Sequence, residues 1–270
     1  MKNKKKNLNE KGKVKCIIPQ ITVVAGIVFL LHVLFISFGF FGLNKNLFGN
    51  LFIALISFLA FLSMFCLYKK FPHNFPMERK AKLFLLISTF LFFLGDFIWF
   101  AEEVFLQEII LLGGWPDLCW TLGYLALIIS TQFFIKIEFR ESKILLGILI
   151  FVAIILGGLF LYFDITANLS QGNLSFGSLI QDFYPIYDLI VFAMIIYLLW
   201  PLIITRNTYF LGWFWLGLGV LTRLVYDIIF VMLNKENLYY TGHPIDLVYN
   251  LFYIFIILNS LHKSNLLNSK

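Results

Sequence analysis

The chain has 270 residues, of which 60% are hydrophobic, 19% are aromatic and only 13% are charged. Its mean hydropathy is +0.88. A water-soluble domain of this length could not remove so much apolar surface from water, so the composition excludes a soluble protein. It indicates a membrane protein, which has the lipid bilayer as a partner. The net charge of +6 comes mostly from the lysines of residues 1–15. Beside a membrane span such a run sets topology and contacts anionic lipid, and we expect no nucleic-acid partner.

Apolar runs near twenty residues recur along the whole chain and are typical of membrane-spanning helices. The sequence therefore predicts an all-α polytopic membrane protein with eight transmembrane helices. An even number of spans places both termini on the same side of the membrane. The predicted spans are residues 16–43, 50–68, 83–101, 118–135, 144–163, 184–204, 209–232 and 245–261.

The charged residues of the loops predict the orientation. Most of the 21 basic residues fall in the two tails and in the loops after the second and fourth spans. Positive charge stays in the cytoplasm, so we expect both termini to be cytoplasmic and the protein to lie in the cell membrane. The aspartates fall in the opposite loops or in the adjoining third of a helix. Asn168 and Asn173 begin N-x-S sequons in one of those outer loops, where glycosylation stays an open question.

Two segments of the sequence carry the same acidic pattern. Asp96 lies in the third span and Asp117 opens the fourth, and about 130 residues later Asp227 and Asp246 take the same places in the seventh and eighth spans. Units of four helices have the same orientation, so we predict two parallel repeats related by an axis along the membrane normal. The predicted order is a basic tail, two repeats and a short cytoplasmic tail, at residues 1–15, 16–136, 143–262 and 263–270.

The carboxylates near the outer surface are the expected functional centre. An aspartate in the middle of a membrane helix costs on the order of 3 kcal/mol. Asp96, Asp188 and Asp227 are flanked by apolar residues on both sides, and helix capping does not explain Asp96 or Asp227. Asp117 and Asp246 begin helices, where a carboxylate offsets the helix dipole. For these two, capping and ligand binding are equally good explanations.

Arg223 is a basic residue deep in a predicted helix. It precedes Asp227 by four residues, so both side chains project from one face and can pair. The pair either locks helix packing or places a cation that tunes the carboxylates or binds an anion. An outward-facing carboxylate pocket would suit a cationic ligand, a divalent metal or protons, and the sequence predicts no particular cofactor. The predicted ligand-binding residues are Asp96, Glu103, Asp117, Trp120, Tyr124, Asp188, Arg223, Asp227, Asp246 and Tyr249.

The motifs GDFIWF, PDLCWTLGYLAL, FYPIYDLIVFAMIIYLL, YDIIFVML and PIDLVYNLFYIFI carry a family resemblance. In this order they resemble the multi-helix membrane input region of bacterial and archaeal sensor histidine kinases and diguanylate cyclases. The resemblance implies a sensing module. No kinase or cyclase sequence follows, so the signal is expected to pass to a separate partner on the cytoplasmic side. The matching positions are Asp96, Asp117, Tyr124, Pro185, Asp188, Asp227 and Asp246.

A second resemblance competes with the first. Eight spans, a Gly-Asp pair in the third and an aspartate in the seventh are similar to the lysoplasmalogenase-like membrane enzymes. That resemblance implies that Asp96 and Asp227 are catalytic, one activating water and the other donating a proton to the leaving oxygen. The His-x-x-Tyr expected after the Gly-Asp is replaced here by Asp117 and Tyr124. The enzyme is therefore the alternative hypothesis, and a small-solute transporter is the third.

Overall fold

A computed structural model describes residues 17–38, 44–72, 75–106, 113–138, 143–171, 176–204, 210–236 and 238–269. Over these ranges the chain forms eight α-helices and one π-helical turn and contains no β-strand. Residues 1–15 and Asn173 lie outside the described residues, as does the side chain of Asn168. The helices are α1 (Ile18–Phe38), α2 (Lys45–Lys70), α3 (Pro76–Ala101), α4 (Trp115–Glu138), α5 (Lys143–Gln171), α6 (Phe176–Ile204), α7 (Phe210–Lys235) and α8 (Asp246–Asn268), and the π-helical turn Glu102–Leu106 follows α3.

The eight predicted spans each correspond to one of these helices, and the all-α prediction is confirmed. α1 to α7 contain stretches long and apolar enough to cross a membrane, as expected of a multi-pass membrane protein. α8 is more polar, and its inward positions include Asn250, Asn259 and Lys263, all buried by neighbouring helices. Membrane crossing by α8 stays a prediction.

Six helices form a closed ring. Around it each helix packs against the next, in the order α2, α3, α4, α6, α7, α8 and back to α2. α1 lies outside the ring against α2 and α8, and α5 lies outside it against α6. The outward faces of α1 and α5 are apolar, with Leu30 and Phe151 more than half exposed. In a bilayer these faces would contact lipid chains, so the ring is where buried polar groups gather.

Aromatic side chains fill the middle of the ring. The Phe92 ring packs edge-on against Tyr124, with 5.2 Å between ring centroids, and against Phe252 at 5.6 Å. α3 and α4 approach closely because small residues lie opposite large rings. A β-carbon at Gly95 would lie only 2.5 Å from the indole nitrogen of Trp120, so a glycine is needed there for the indole to reach α3.

The two ends of the ring differ in charge. The carboxylate end is the end where α3 finishes and where α4 and α8 begin. The lysine end is the end where α2 finishes and α3 begins, and Lys70, Lys82 and Lys263 lie there. At the carboxylate end, Gly113 and Gly242 precede α4 and α8 with positive φ angles of 89° and 85°, which favour glycine.

Candidate functional site

A small cavity lies inside the ring at the carboxylate end. Its volume is about 50 Å³, which is room for a few water molecules or one small ion. Every helix of the ring contributes to its wall, together with the loop between α7 and α8. The lining residues are Asn50, Ile53, Asp96, Trp99, Asp117, Trp120, Tyr184, Arg223, Tyr226, Asp227, Phe230, Tyr239 and Tyr249.

Asp96 is bound by three donors from two other helices. The Trp120 indole N–H (3.0 Å) and the Tyr249 hydroxyl (2.7 Å) both donate to its Oδ1, and the Tyr253 hydroxyl donates to Oδ2 at 2.6 Å. The aspartate is only 4% exposed. Hydrogen bonds to a carboxylate are stronger than those between neutral groups, so they offset much of the loss of hydration.

Asp227 is the corresponding acid on α7. The Tyr124 hydroxyl donates to its Oδ2 at 2.9 Å, and Arg223 Nε lies 3.8 Å from the same oxygen, as the four-residue spacing on one helix predicts. The buried carboxyl group of Asp188 on α6 interacts electrostatically with that of Asp227. Asp188 is 1% exposed and lies behind the cavity wall.

Arg223 connects the two acids through tyrosines. Its Nε donates to the Tyr124 hydroxyl at 2.9 Å and its Nη1 donates to the Tyr249 hydroxyl at 3.2 Å. These hydroxyls in turn donate to Asp227 and Asp96. The result is a continuous hydrogen-bonded chain between the two aspartates of the cavity, with the guanidinium at its centre.

Aromatic rings enclose the guanidinium. Its carbon lies 4.7 Å from the ring centroids of Phe92 and Tyr249 and 5.2 Å from that of Phe252. Ring faces attract a cation and exclude water. The positive charge of Arg223 is therefore held in place and acts on the acids from a fixed position.

Glu103, in the π-helical turn after α3, forms the next layer toward the end of the bundle. Its carboxylate accepts the Asn50 amide at 2.8 Å, the Trp99 indole N–H at 3.0 Å and the Thr241 hydroxyl at 2.7 Å. These donors come from α2, α3 and the loop before α8. Glu103 therefore joins that loop to two ring helices, and two of its donors line the cavity.

Asp117 occupies the start of α4 and lines the cavity. Its Oδ2 accepts the Gly113 N–H at 2.7 Å, and its Oδ1 accepts the Tyr184 hydroxyl. The first bond is a helix-start contact, because the amides before and within the first turn have no partner inside the helix. Asp117 thus has a structural contact at the helix start and also lines the cavity, and ligand binding by Asp117 stays a prediction.

Asp246 has the same helix-start contact at α8. Its Oδ2 accepts the Gly242 N–H at 2.8 Å, and its Oδ1 accepts the Tyr239 hydroxyl at 3.1 Å. Burial raises the pKa of Tyr239 well above its ordinary value, so this hydroxyl keeps its proton and donates it. Asp246 is not among the lining residues and reaches the cavity only through Tyr239.

The predicted site residues gather at one end of the bundle. Six of them line the cavity, namely Asp96, Asp117, Trp120, Arg223, Asp227 and Tyr249. Tyr124 lies behind it and donates to Asp227, Asp188 is buried and does not line it, Glu103 lies above it, and Asp246 lies beside it. Among the described residues, no group of three His, Cys, Asp or Glu side chains is placed to hold a metal ion.

We compared the chain with known proteins. No family model matches it. No curated protein and no solved structure matches it either.

Several residues of the site were not predicted from the sequence. Tyr253 could have been, because it stands about 130 residues after Tyr124, the offset that relates the paired aspartates. Trp99 lies close to the acids in the sequence, but it fitted an interfacial anchor equally well. Tyr184 and Tyr239 gave no signal, since an aromatic residue near a membrane surface is usually such an anchor. Thr241 was overlooked because a threonine in a loop is unremarkable until Glu103 is placed beside it.

Proposed function

We propose that this chain is a membrane sensory module that binds a small cationic ligand in the cavity of the carboxylate end. The observation that carries the proposal is that Asp96 and Asp227, from different helices, line one small cavity and are joined through Arg223. A pair of acids that served only helix packing would face separate interfaces. Here they face the same space.

Charge and size set the class of ligand. Asp96, Asp188 and Asp227 are each at most 4% exposed, and Arg223 pairs with Asp227 at 3.8 Å and reaches Asp96 through Tyr249. Three carboxyl groups against one guanidinium leave an excess of negative charge in a region of low dielectric, which favours uptake of positive charge. A volume of about 50 Å³ suits an inorganic cation, a proton with water, or a small ammonium group.

The loop charges support an outward-facing cavity. The positive-inside rule places the lysine end and both termini in the cytoplasm, so the carboxylate end faces the outside of the cell membrane. A ligand would then arrive from outside, and its binding would be read at the lysine end by a separate signalling partner.

Hydrogen bonds across the cavity support the two-repeat organisation. Asp96 accepts from Tyr253 and Asp227 accepts from Tyr124, so each aspartate is bound by the tyrosine of the other repeat. In the two predicted repeats, α2, α3 and α4 correspond to α6, α7 and α8. The packing contacts around the ring follow the same correspondence: α2–α3, α3–α4 and α4–α6 match α6–α7, α7–α8 and α8–α2. At the offset that relates Asp96 to Asp227, Arg223 corresponds to Phe92, and the two side chains are in contact. One guanidinium thus serves the acids of both repeats.

A route for the signal follows from the contacts. Tyr249 and Tyr253 on α8 bind Asp96 on α3, whereas Tyr124 on α4 binds Asp227 on α7. A cation that takes up the lone pairs of either aspartate competes with these tyrosines. Their release would let α8 move relative to α3, or α4 relative to α7, and all four helices extend to the lysine end.

The test is a thermal-shift and calorimetric titration of the purified full chain with Na⁺, K⁺, Mg²⁺, Ca²⁺, ammonium and methylammonium. At least one of these cations should raise the unfolding temperature with saturation, and Asp96→Asn and Asp227→Asn should remove the shift. Glu236→Gln, which removes an exposed carboxylate from the same end, is the matched control and should bind like the wild type. Saturable binding that persists in both Asp variants would refute a shared site.

A second candidate function is lipid hydrolysis by Asp96 and Asp227. One observation favours it: Asp117 also lines a groove of about 500 Å³ between α4 and α6, which has room for a hydrocarbon chain beside the cavity. In this arrangement the groove would take the chain and the cavity the polar bond to be cleaved. The hypothesis expects the wild type to hydrolyse an ether or ester lysolipid and both Asp→Asn variants to be inactive. An inactive wild type across a broad lysolipid panel would count against it.

A further inference from the structure

The groove between α4 and α6 opens on the outside of the ring, next to the cavity. Its volume is about 500 Å³, and its walls come from the start of α4 and the first half of α6. Trp115, Leu118 and Phe183 line it and are all at least 42% exposed, so in a bilayer its rim would contact lipid chains. The lining residues are Gly113, Gly114, Trp115, Asp117, Leu118, Thr121, Ile180, Phe183 and Tyr187.

Asp117 is the junction between the groove and the cavity. Among the described residues, it is the one that lines both spaces. Its neighbours divide between them, since Trp120 and Tyr184 line the cavity whereas Thr121 and Phe183 line the groove. The Tyr184 hydroxyl donates to Oδ1 of Asp117 and thereby joins α6 to α4 at this boundary. A group bound at Asp117 can therefore extend into either space.

The carboxylate of Asp117 has no cation beside it. The side chain is 3% exposed, and its hydrogen bonds come from neutral donors, the Gly113 N–H and the Tyr184 hydroxyl. Within the part of the chain that the structure describes, Asp117 forms no ion pair. The other side chains of the groove are apolar or uncharged, and the rings of Phe183 and Tyr187 can attract a cation. Charge complementarity favours a positive group at Asp117 and an alkyl chain along the groove.

We infer that the ligand is an amphiphilic ammonium compound, with its alkyl chain in the groove and its ammonium group at Asp117, at the entrance to the cavity. This choice of ligand class rests on the proposed function. Ile180 and Tyr187 are seven residues apart on α6, so the groove follows the helix for about 10 Å, enough for an alkyl chain of medium length. Because the rim faces lipid, such a compound enters sideways from the leaflet at the carboxylate end.

The test is a calorimetric titration of the full chain in nanodiscs with methyl-, butyl-, hexyl- and octylammonium, with empty nanodiscs as the blank for partition into lipid. In the wild type, each methylene added between butyl- and octylammonium should lower the Kd by up to about fourfold. 1-Octanol has the same chain without the charge and should not compete with octylammonium. A Kd that stays constant along the series would overturn the inference.

Two variants show whether the chain lies in the groove or in the surrounding lipid. Thr121→Trp fills the groove from α4, and Ile180→Trp fills it from α6. Both should bind methylammonium like the wild type and lose the dependence on chain length. Leu122→Trp is the control, because Leu122 is 43% exposed on α4 and does not line the groove, and it should keep the dependence. If the two groove variants also keep it, the chain lies in lipid and the inference is wrong.

The carboxylates separate this inference from the proposed function. Asp117→Asn keeps the size of the side chain but loses its charge, and it should weaken octylammonium binding by about tenfold or more. Cation binding that requires Asp96 and Asp227 but shows no dependence on chain length would overturn the inference and leave the proposed function standing. Octylammonium binding that requires Asp117 and the open groove, but neither Asp96 nor Asp227, would support the groove site and refute the shared cavity.

Discussion

The buried charges that distinguish the two ends of this bundle have opposite signs. At the carboxylate end, the acids form a hydrogen-bonded chain through Tyr124, Arg223 and Tyr249 around a cavity. At the lysine end, Lys82 and Lys263 are nearly as buried, at 6% and 7% exposed, and their ammonium groups lie over aromatic rings. Lys82 Nζ is 4.2 Å from the Phe71 ring, and Lys263 Nζ is 4.2 Å from the Trp213 ring.

The difference follows from the length of the side chains. A lysine has a long apolar stem and can bring its charge toward the surface, so it is tolerated at a range of depths along a membrane helix. An aspartate has no such reach and must find its partners at the depth where the chain places it. The depth of a lysine in the bundle is therefore less constrained than the depth of an aspartate.

The largest expected difference between the two ends appears when one buried cation is removed from each. Arg223→Met should lower the free energy of unfolding by about 3–5 kcal/mol, because it leaves buried carboxylates without their cation. Lys82→Met should change it by no more than about 1 kcal/mol, because the methionine keeps the apolar contacts of the lysine stem. Denaturation of the purified variants in detergent measures both values.

A double variant checks the cause of the Arg223 effect. Adding Asp227→Asn to Arg223→Met removes one stranded charge and should recover part of the lost stability. If the double variant is less stable than the wild type by the sum of the two single-variant effects, Arg223 contributes mainly through packing against Phe92 and Phe252.

A smaller change tests the geometry of the carboxylate end alone. Gly95→Ala places a methyl group about 2.5 Å from the Trp120 indole nitrogen, which must move and release its bond to Asp96. We expect a loss of about 1–3 kcal/mol from overpacking and the broken bond. Gly158→Ala on α5 is the control, since nothing lies within 4 Å of its added carbon, and it should be neutral or slightly stabilising. Equal effects of the two variants would mean that Trp120 is not held by this contact.

The two helix-start aspartates separate capping from binding. Asp117→Ala and Asp246→Ala each leave a glycine amide without its acceptor and should cost about 1–2 kcal/mol. Only Asp117 lines the cavity, so Asp117→Ala alone should also weaken the thermal shift produced by a bound cation. A loss of binding in Asp246→Ala of the same size would place Asp246 within the site.

The hydropathy of the chain predicts most of the helices, because a segment that crosses a bilayer must be a long apolar helix. The limits of this signal are equally physical. α5 continues to Gln171, beyond the apolar run that ends near Phe163, because the end of the lipid-compatible stretch need not end a helix. α8 has a weaker signal, since neighbouring helices cover Asn250, Asn259 and Ser260 and those positions need not be apolar.

The candidate site was predictable at positions where the side chain carries a large free-energy cost in a membrane helix. Asp96 and Asp227 stand out because an acid inside a membrane helix demands a reason. The tyrosines and tryptophans that bind them do not stand out, since 19% of the chain is aromatic and most such side chains only pack. The electrostatic interaction between Asp188 and Asp227 could not be foreseen either, because it depends on how α6 and α7 face each other.

The smallest expected effect concerns His243, in the loop between α7 and α8 at the carboxylate end. Burial lowers the pKa of His243, whose Nδ1 accepts the Ile245 N–H at 3.2 Å just before α8. In the unfolded chain this imidazole titrates near pH 6.5, so below that pH the unfolded state takes up a proton that the folded state resists. The contribution of His243 to stability is therefore complete above about pH 6.5 and declines as the pH falls below it. Other buried groups also titrate, so the measurement is the difference in unfolding temperature between the wild type and His243→Gln at pH 7.5 and at pH 5.5. The variant should gain on the wild type at the lower pH by a small margin, and an unchanged difference would show that the imidazole charges freely in the folded protein.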